Sequence, residues 1–374
     1  MEEPFKNGFT HSRKYNIHLF SSLMSLKFIE QGILHKGSVF VCTEAKDSES
    51  GKIVVIKKAN RVQDPVINML NNELQSIIKL CDIEGIRKNI NDKVNADKPE
   101  LILEFINGKT LATLIESSSL TIELFFNVAI ATTQILEQAH NKGYIHRKLC
   151  SQHIIIDNKD SKPVIINLSA CLFLGTQGKV FASTENLEAV HTHMAPEQTG
   201  RTRLQLDYRT DIYSLGIIFY EMLTGLLPFA ENTFANLVHC HLAREPKPVH
   251  DINFKVPRQV SEIIKKMMQK DPNARYQSMY GVLCDIQKCA KQWKTNSTVE
   301  IFELATSDFS NYLVIPDKLY GRSNEEFSIR ASFDNMMEGH RTAVLLSGQP
   351  GVGKTALVHH LRQSISSVQG FFIE

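Results

Sequence analysis

Apolar residues change their spacing twice along the chain. From about 26 to 106 they fall in short β-rich runs, GSVFVCTEA, KIVVIKK and ELILEFI, around one stretch, INMLNNELQSIIKL, where they recur at helical spacing. This pattern predicts a small strand-rich lobe with one helix. After the turn signal Asn107-Gly108, helical periodicity takes over and runs to about 292. In LFFNVAIATTQILEQAH the positions 125, 128, 129, 132, 135, 136 and 139 are apolar or small and make one stripe for burial. DIYSLGIIFYEMLTG opens on Asp211, a capping residue type, and closes on Gly225. Between these two helices, 167–200 reads as loop. Residues 1–25 are polar and mixed and form an extension, 293–317 reads as a linker, and a further unit starts at 318.

Composition narrows the classes. The 374 residues, 43% of them apolar, suffice for two compact domains and exclude disorder as the main state. Lys+Arg 42 against Asp+Glu 40 leaves a net charge of +2, which gives no bulk attraction to nucleic acid or an anionic membrane. Seven scattered cysteines without a C-x-x-C pair support neither a disulfide framework nor a zinc module, so a reducing, cytoplasmic setting is expected. The start lacks the apolar core of a secretory signal, and the most apolar run, SLGIIFYEMLTGLLPF, is interrupted by Glu221 and reads as a buried helix of a soluble chain.

The chemistry lies in motifs and their order. VVIK, HRKL, INLS, MAPE and DIYSLG follow one another from strand-rich to helical lobe, and over roughly 26–292 this succession resembles the protein kinase family. The implied fold is α+β and two-lobed, a β-rich N-lobe over 26–106 and a helical C-lobe over 107–292. Strand alternation places Val55 and Lys57 on one face and Lys58 on the other. The resemblance makes Lys57 the phosphate-binding lysine and Glu73 its helix partner, with Val55 narrowing the adenine pocket. In LHKGSVFVC only Gly37 remains of the phosphate-covering glycines, with His35 and Phe40 at the other two positions.

The catalytic positions depart from the family. In YIHRKLCSQHIII, His146, Arg147 and Leu149 match, but Lys148 replaces the aspartate that handles the substrate hydroxyl proton, and a protonated lysine only donates. His153 replaces the asparagine whose oxygen would hold magnesium, a cation that favours oxygen ligands. In INLSACL, Asn167 stands for the magnesium-binding aspartate, with Leu168 and Ser169 after it. No catalytic residues are therefore expected, and the resemblance points to a pseudokinase acting as a regulatory or interaction module. ATP binding in this cleft stays open, since Lys57 remains and Lys148 could offset phosphate charge without metal. The architectural residues persist: Arg147, Glu197 of Ala195-Pro196-Glu197, Arg275 as its partner, and Asp211, which in the family braces the catalytic-loop backbone. Arg147 beside Lys148 could attract a phosphorylated group from Ser183, Thr184 or Thr192. His239-Cys240-His241 is discounted as a metal site because adjacent helical residues splay apart, and His191 and His193 read as loop residues.

A second constellation lies in AVLLSGQPGVGKTALVHHLRQSI. Here Gly348, Gly353, Lys354 and Thr355 complete G-x-x-x-x-G-K-T after an apolar run expected to be a strand, with Gly351 inside the turn. Backbone N–H groups would cradle ATP phosphates, Lys354 would reach the terminal ones, and Thr355 would ligate magnesium. The chain stops at Glu374 before any acidic partner, so 318–374 is read as an incomplete α/β P-loop NTPase unit. Together the two units resemble the N-terminal part of large hybrid sensor histidine kinases, in which a kinase-like domain precedes an AAA- or STAND-type ATPase. The implied partners are other signalling proteins or domains, including domains of the same protein, with no nucleic acid and no membrane segment. Two alternatives stand beside the pseudokinase: an active Ser/Thr kinase with variant metal chemistry, and a nucleotide function confined to the P-loop unit.

Overall fold

The computed structural model describes residues 28–349 except 62, 96–97, 118–119, 176–190, 203 and 310–320, together with 351–354 and 357. Clustering of the backbone separates 1–311 from 312–374, and the two units are described in turn.

The first unit opens with an antiparallel sheet of β1 (Phe28–Lys36), β2 (Phe40–Asp47), β3 (Ile53–Ala59) and β4 (Glu100–Glu104), in that order. The apolar runs form these strands, and the helical stretch forms α1 (Asp64–Leu80), with Pro65 in its first turn, where a missing N–H is tolerated. Leu70, Glu73, Leu74, Ile77 and Leu80 make its buried face, at the i, i+3, i+4 spacing of the sequence pattern. Cross-strand pairs Cys42↔Lys57↔Leu101 and Val55↔Leu103 put these five side chains on the inner face of the sheet.

Three short strands follow as a second sheet, β5 (Gly108–Thr110), β7 (Ile154–Asp157) and β8 (Pro163–Ile165), while β6 (Tyr144–Ile145) pairs with β9 (Leu172–Phe173). These ladders clamp the segments 146–153 and 166–171, which carry the departed motifs. The rest is helical: α2 (Leu111–Glu116), α3 (Ile122–Asn141), α4 (Arg209–Thr224), α5 (Phe234–Ala243), α6 (Val249–Ile252), α7 (Arg258–Met267) and α8 (Met279–Asn296). Thr121 caps α3 by accepting from Leu124 N at 3.2 Å, and the predicted stripe is buried. α4 runs through the centre and ends at Gly225, φ +70°. Its start differs from expectation. The helix begins at Arg209, whose N–H is held by Asp207 at 2.8 Å, so Asp211 is no cap and its carboxylate is available for the loop before it.

The stretch read as linker also behaves differently. α8 continues to Asn296, and 299–308 then lies along the helical lobe with Val299, Phe302, Leu304 and Ala305 packed on the core. Asp308 accepts from Gln277 N at 2.6 Å and Ser278 Oγ at 2.7 Å, so it closes the N-terminus of α8. Asp285 Oδ2 holds Ala305 N at 2.8 Å, and Gln259 reaches Phe302 O at 2.8 Å. Isolated apolar residues without a period hide such a strap from pattern reading.

In the second unit, α9 (Ser323–Met337) is followed by 341–349 without strand structure. The expected strand AVLLS is thus absent, and Leu345 is 94% exposed. An apolar run becomes a strand when a neighbour pairs its backbone, and no described residue does so here. No described helix is long and apolar enough to cross a membrane.

The strap generates a prediction. A Cβ on Gly281 would lie 2.4 Å from Asp308 Oδ1. Gly281→Ala should therefore destabilise the protein while Asp308 is present. Asp308→Gly alone, which also removes the Cβ that lies 2.6 Å from the same position, should cost about 1–2 kcal/mol. In the double variant Gly281→Ala should turn neutral or stabilising, by up to about 1 kcal/mol, because alanine is the better helical residue. Urea unfolding of the four proteins reads the coupling, and additive effects would mean that the strap does not sit on α8.

Candidate functional site

Lys57 projects from the inner face of β3 towards Glu73 of α1, and its Nζ lies 2.6 Å from Glu73 Oε2 with both side chains almost wholly buried. Lys58, on the other face, pairs with Glu30. The Lys57 ammonium has a second partner, Asn167 Oδ1, at 3.0 Å. Asn167 follows β8 in the left-handed region, φ +62°, which asparagine adopts more readily than most residues. Its Oδ1 also accepts from Ser169 Oγ at 2.9 Å.

The other end of that carboxamide continues the chain of bonds. Asn167 Nδ2 donates to His153 Nε2 at 2.8 Å, and His153 Nδ1 lies 2.6 Å from the backbone oxygen of Lys148. A carbonyl only accepts, so the proton of this imidazole sits on Nδ1 and Nε2 is left as acceptor, a neutral ring. Burial first, then the charges of His146, Lys57 and Lys148, push the His153 pKa down to about 3. Lys148 N donates in turn to His146 Nδ1 at 3.3 Å, and His146 Nε2 to Ile166 O at 3.2 Å. The structure thus brings Lys57, Glu73, Asn167, His153 and Lys148 into one connected network.

These residues do not fit a magnesium ion. At the two positions where the resemblance places metal ligands, the Asn167 oxygen is engaged by two donors and the His153 nitrogen by an amide N–H. No group of three His, Cys, Asp or Glu that could hold a metal occurs among the described residues.

An aromatic ring accompanies the buried lysine. Phe40 sits beneath the lysine, with its ring centroid 4.6 Å from Lys57 Nζ. The turn above is closed on itself: Gly37 N donates to Phe40 O at 2.9 Å, and Asn60 Nδ2 binds the carbonyls of Gly37 and Ser38 at 2.8 and 3.0 Å. Gly37 is therefore a hairpin glycine here. Beside the end of β4 lies a residue the sequence reading passed over. Arg87 is 8% exposed, and its Nε donates to the backbone oxygen of Glu104, the last residue of β4, at 2.8 Å. Burial pulls its pKa down against the charges of Cys42, Glu73 and Glu104. No sequence signal singled it out, because the stretch between α1 and β4 carries many charged residues, with Lys88 directly beside it.

The scaffold around the site is tightly bonded. Asp211 accepts from His146 N at 2.7 Å, Arg147 N at 2.9 Å and His140 Nε2 at 2.9 Å. Burial pushes its carboxyl up, but the His140 bond and charge and the nearby His146 outweigh this and hold its pKa low. Arg147 adopts φ +65°, and Gln198 fixes its carbonyl at 2.7 Å. Arg275 meets Glu197 through two bonds of 2.8 and 2.9 Å and spends its remaining donors on the carbonyls of Gln269, Lys270 and Arg209. His241 is buried against Tyr213, 3.1 Å from its hydroxyl. Thr192 Oγ1 lies 3.0 Å from His193 Nδ1, while Ser183 and Thr184 fall outside the described residues.

In the second unit Gly351 and Gly353 take φ +83° and +90°, the conformations that favour glycine. Lys354 Nζ donates to the oxygens of Gly348 and Gln349 at 2.8 and 2.9 Å, so the lysine folds over its own loop. Thr355 lies outside the described residues.

The protein kinase domain profile matches residues 28–287. The chain is 28% identical to hybrid signal transduction histidine kinase G of Dictyostelium discoideum, covering 65% of this chain and 10% of that one. It is 27% identical to a "Probable serine/threonine-protein kinase" of Clostridium perfringens, over 71% of this chain and 37% of the relative. With the peroxide stress-activated histidine kinase mak3 of Schizosaccharomyces pombe it shares 28% identity over 56% of this chain and 9% of the relative. The chain therefore spans well under half the length of each of these proteins.

The neutral, buried His153 has a measurable consequence. In an unfolded chain histidine titrates near 6.5, so between about 6.5 and 3 the unfolded state binds one proton more than the folded state. The stability held above about pH 6.5 is lost as pH falls towards 3, at about 1.4 kcal/mol per pH unit. His153→Gln should lower the acid slope of unfolding free energy by about that amount, read from urea titrations between about pH 7 and 4.5. An unchanged slope would mean that His153 is not held neutral in the fold.

Proposed function

The chain belongs to the protein kinase domain family, and on that premise we propose that its first unit is a pseudokinase, a regulatory or interaction module that does not transfer phosphate. The observation that carries this reading is the Asn167 carboxamide, shared between Lys57, Ser169 and His153. Kinases of this family in general use ATP with magnesium, which neutralises charge between the phosphates. Here no negative charge and no unengaged oxygen stands at position 167 to recruit the ion, and Lys148 offers donors where a proton acceptor is needed.

The second unit is proposed to open a P-loop ATPase. In support, Gly351 and Gly353 have the backbone freedom to approach phosphate oxygens. Lys354 would exchange its two loop carbonyls for terminal phosphates of ATP, and Thr355 would hold magnesium. The relatives named as histidine kinases, one of them a hybrid signal transduction kinase, are far longer than this chain and support a setting in signalling; a cytoplasmic location is part of the same proposal. The proposed partners are accordingly other signalling proteins or further domains of the same protein.

The test is a phosphate-transfer assay on the full chain with labelled ATP and magnesium or manganese, alongside Lys57→Ala and Lys354→Ala. No transfer to the chain or to added protein substrates is expected. Nucleotide binding should drop at least about tenfold in Lys354→Ala and be insensitive to Lys57→Ala. Transfer that survives Lys354→Ala and disappears in Lys57→Ala would refute the pseudokinase.

A further inference from the structure

β3 is buried on both of its faces. Val55 and Lys57 point to the inner face, while Val54 and Ile56, on the outer face of the same strand, are 2% and 4% exposed. Their cross-strand partners Ala45 and Thr43 are buried with them. An antiparallel sheet with one face in water alternates buried and exposed positions along each strand, so the unbroken burial of 54–57 calls for a cover on the outer face.

Ala45, Val54 and Ile56 form a small core of their own, apart from the main one. Among the described residues, the apolar side chains packed on it are Phe28 and Ile102, both only partly buried. Both belong to the sheet itself, in β1 and β4, and so stand beside the patch. The Glu30–Lys58 pair lies on this face too, and its side chains remain 45% and 30% exposed.

The segment of chain next to the patch is the one before β1. Phe28, the first residue of β1, is already packed on it, and residues 1–27 precede Phe28, outside both the described residues and the matched profile. The end of that extension has a pattern that its mixed composition conceals. In NIHLFSSLMSLK, positions 17, 19, 20, 23, 24 and 26 are apolar, whereas 18, 21, 22 and 25 are His or Ser. At about 100° per residue the apolar positions fall within one half of a helix circumference and the His and Ser positions within the other. A helix over 17–26 is about 15 Å long, and β2, β3 and β4 together span about 10 Å, so its length suffices to cross them.

We propose that residues 17–26 form an amphipathic helix that lies across the outer face of the sheet, its apolar half on Ala45, Val54 and Ile56 and its Ser and His half outward. The strand-rich lobe then carries a layer that lies before the kinase profile, and it presents Ser21, Ser22 and Ser25 where a bare sheet would stand. The proposal does not depend on the reading of the cleft or of the P-loop.

The experiment is urea unfolding of the full chain, followed by the fluorescence of Trp293, the sole tryptophan, which packs on the main core. Phe20→Ala should lower the midpoint, and Ser22→Ala should not. Combined with Ile56→Ala, Phe20→Ala should lower it by less than the two single shifts added, because the two side chains share one contact. Combined with Leu103→Ala, on the inner face, the shifts should add. Val54→Ala takes the place of Ile56→Ala should that variant not fold. An unchanged midpoint in Phe20→Ala, or shifts that add with the outer-face variant, overturns the proposal and leaves the cover to the stems of Glu30 and Lys58. Sedimentation of the same proteins tests another occupant: a native dimer that the outer-face variant dissociates and Phe20→Ala does not would put a second copy on this face, and that overturns the proposal as well.

Discussion

One buried cation, Lys57, sets the terms for everything around it. It is balanced by a single carboxylate, Glu73, and no third charged group bonds to it among the described residues. A buried ion pair is weak ground for stability by itself, because desolvation can exceed the attraction, and it is tolerable only when the remaining donors and acceptors are met. An aspartate at 167 would bring a second negative charge and call for a cation. The carboxamide brings none, but its N–H needs an acceptor, which His153 Nε2 provides; the ring's other nitrogen then needs one too, and the carbonyl of Lys148 supplies it. Each replaced residue thus answers the hydrogen-bonding demand of the one before it.

The scaffold obeys a different constraint. Arg147 in a left-handed conformation persists because Asp211 and Gln198 hold its N–H and carbonyl, and the buried Arg275–Glu197 pair leaves no guanidinium donor idle. These bonds serve loop shape and core packing, and neither depends on phosphate, metal or a transferable proton. Chemistry and architecture are therefore separable in this fold, which is how one can be rebuilt while the other stays.

The same distinction explains what could be read from the sequence. Lys57 and Glu73 were legible because strand alternation and helical spacing each fix a direction, and two fixed directions meet at a point. The α3 stripe was legible from its period, whereas the turn signal Asn107-Gly108 misled locally, since Gly108 opens β5 and pairs with Asp157. Asp211 was misplaced as a cap because capping residues look alike in sequence, and only the position of Asp207 decides which one the helix uses. The strap over 299–308 was hidden because its contacts are made one at a time, with no repeat. AVLLS carries the composition of a strand, yet pairing is a property of the neighbour. Arg87 was hidden for another reason: a cation beside Lys88 in a charged stretch reads as surface, and its burial goes with a bond to a backbone carbonyl that no residue type announces.

Phe40 meets a packing demand as well. Its ring lies against the Lys57 ammonium, and a void in that place would cost the lining its dispersion contacts. Lys57 to Asn167, Asn72 to the carbonyls of Ser169 and Cys171 at 3.0 and 2.9 Å, and Arg87 N to Ile165 O all join the strand-rich part to the segment 165–171. These hydrogen bonds are made by the chain itself and tie the two parts to each other directly.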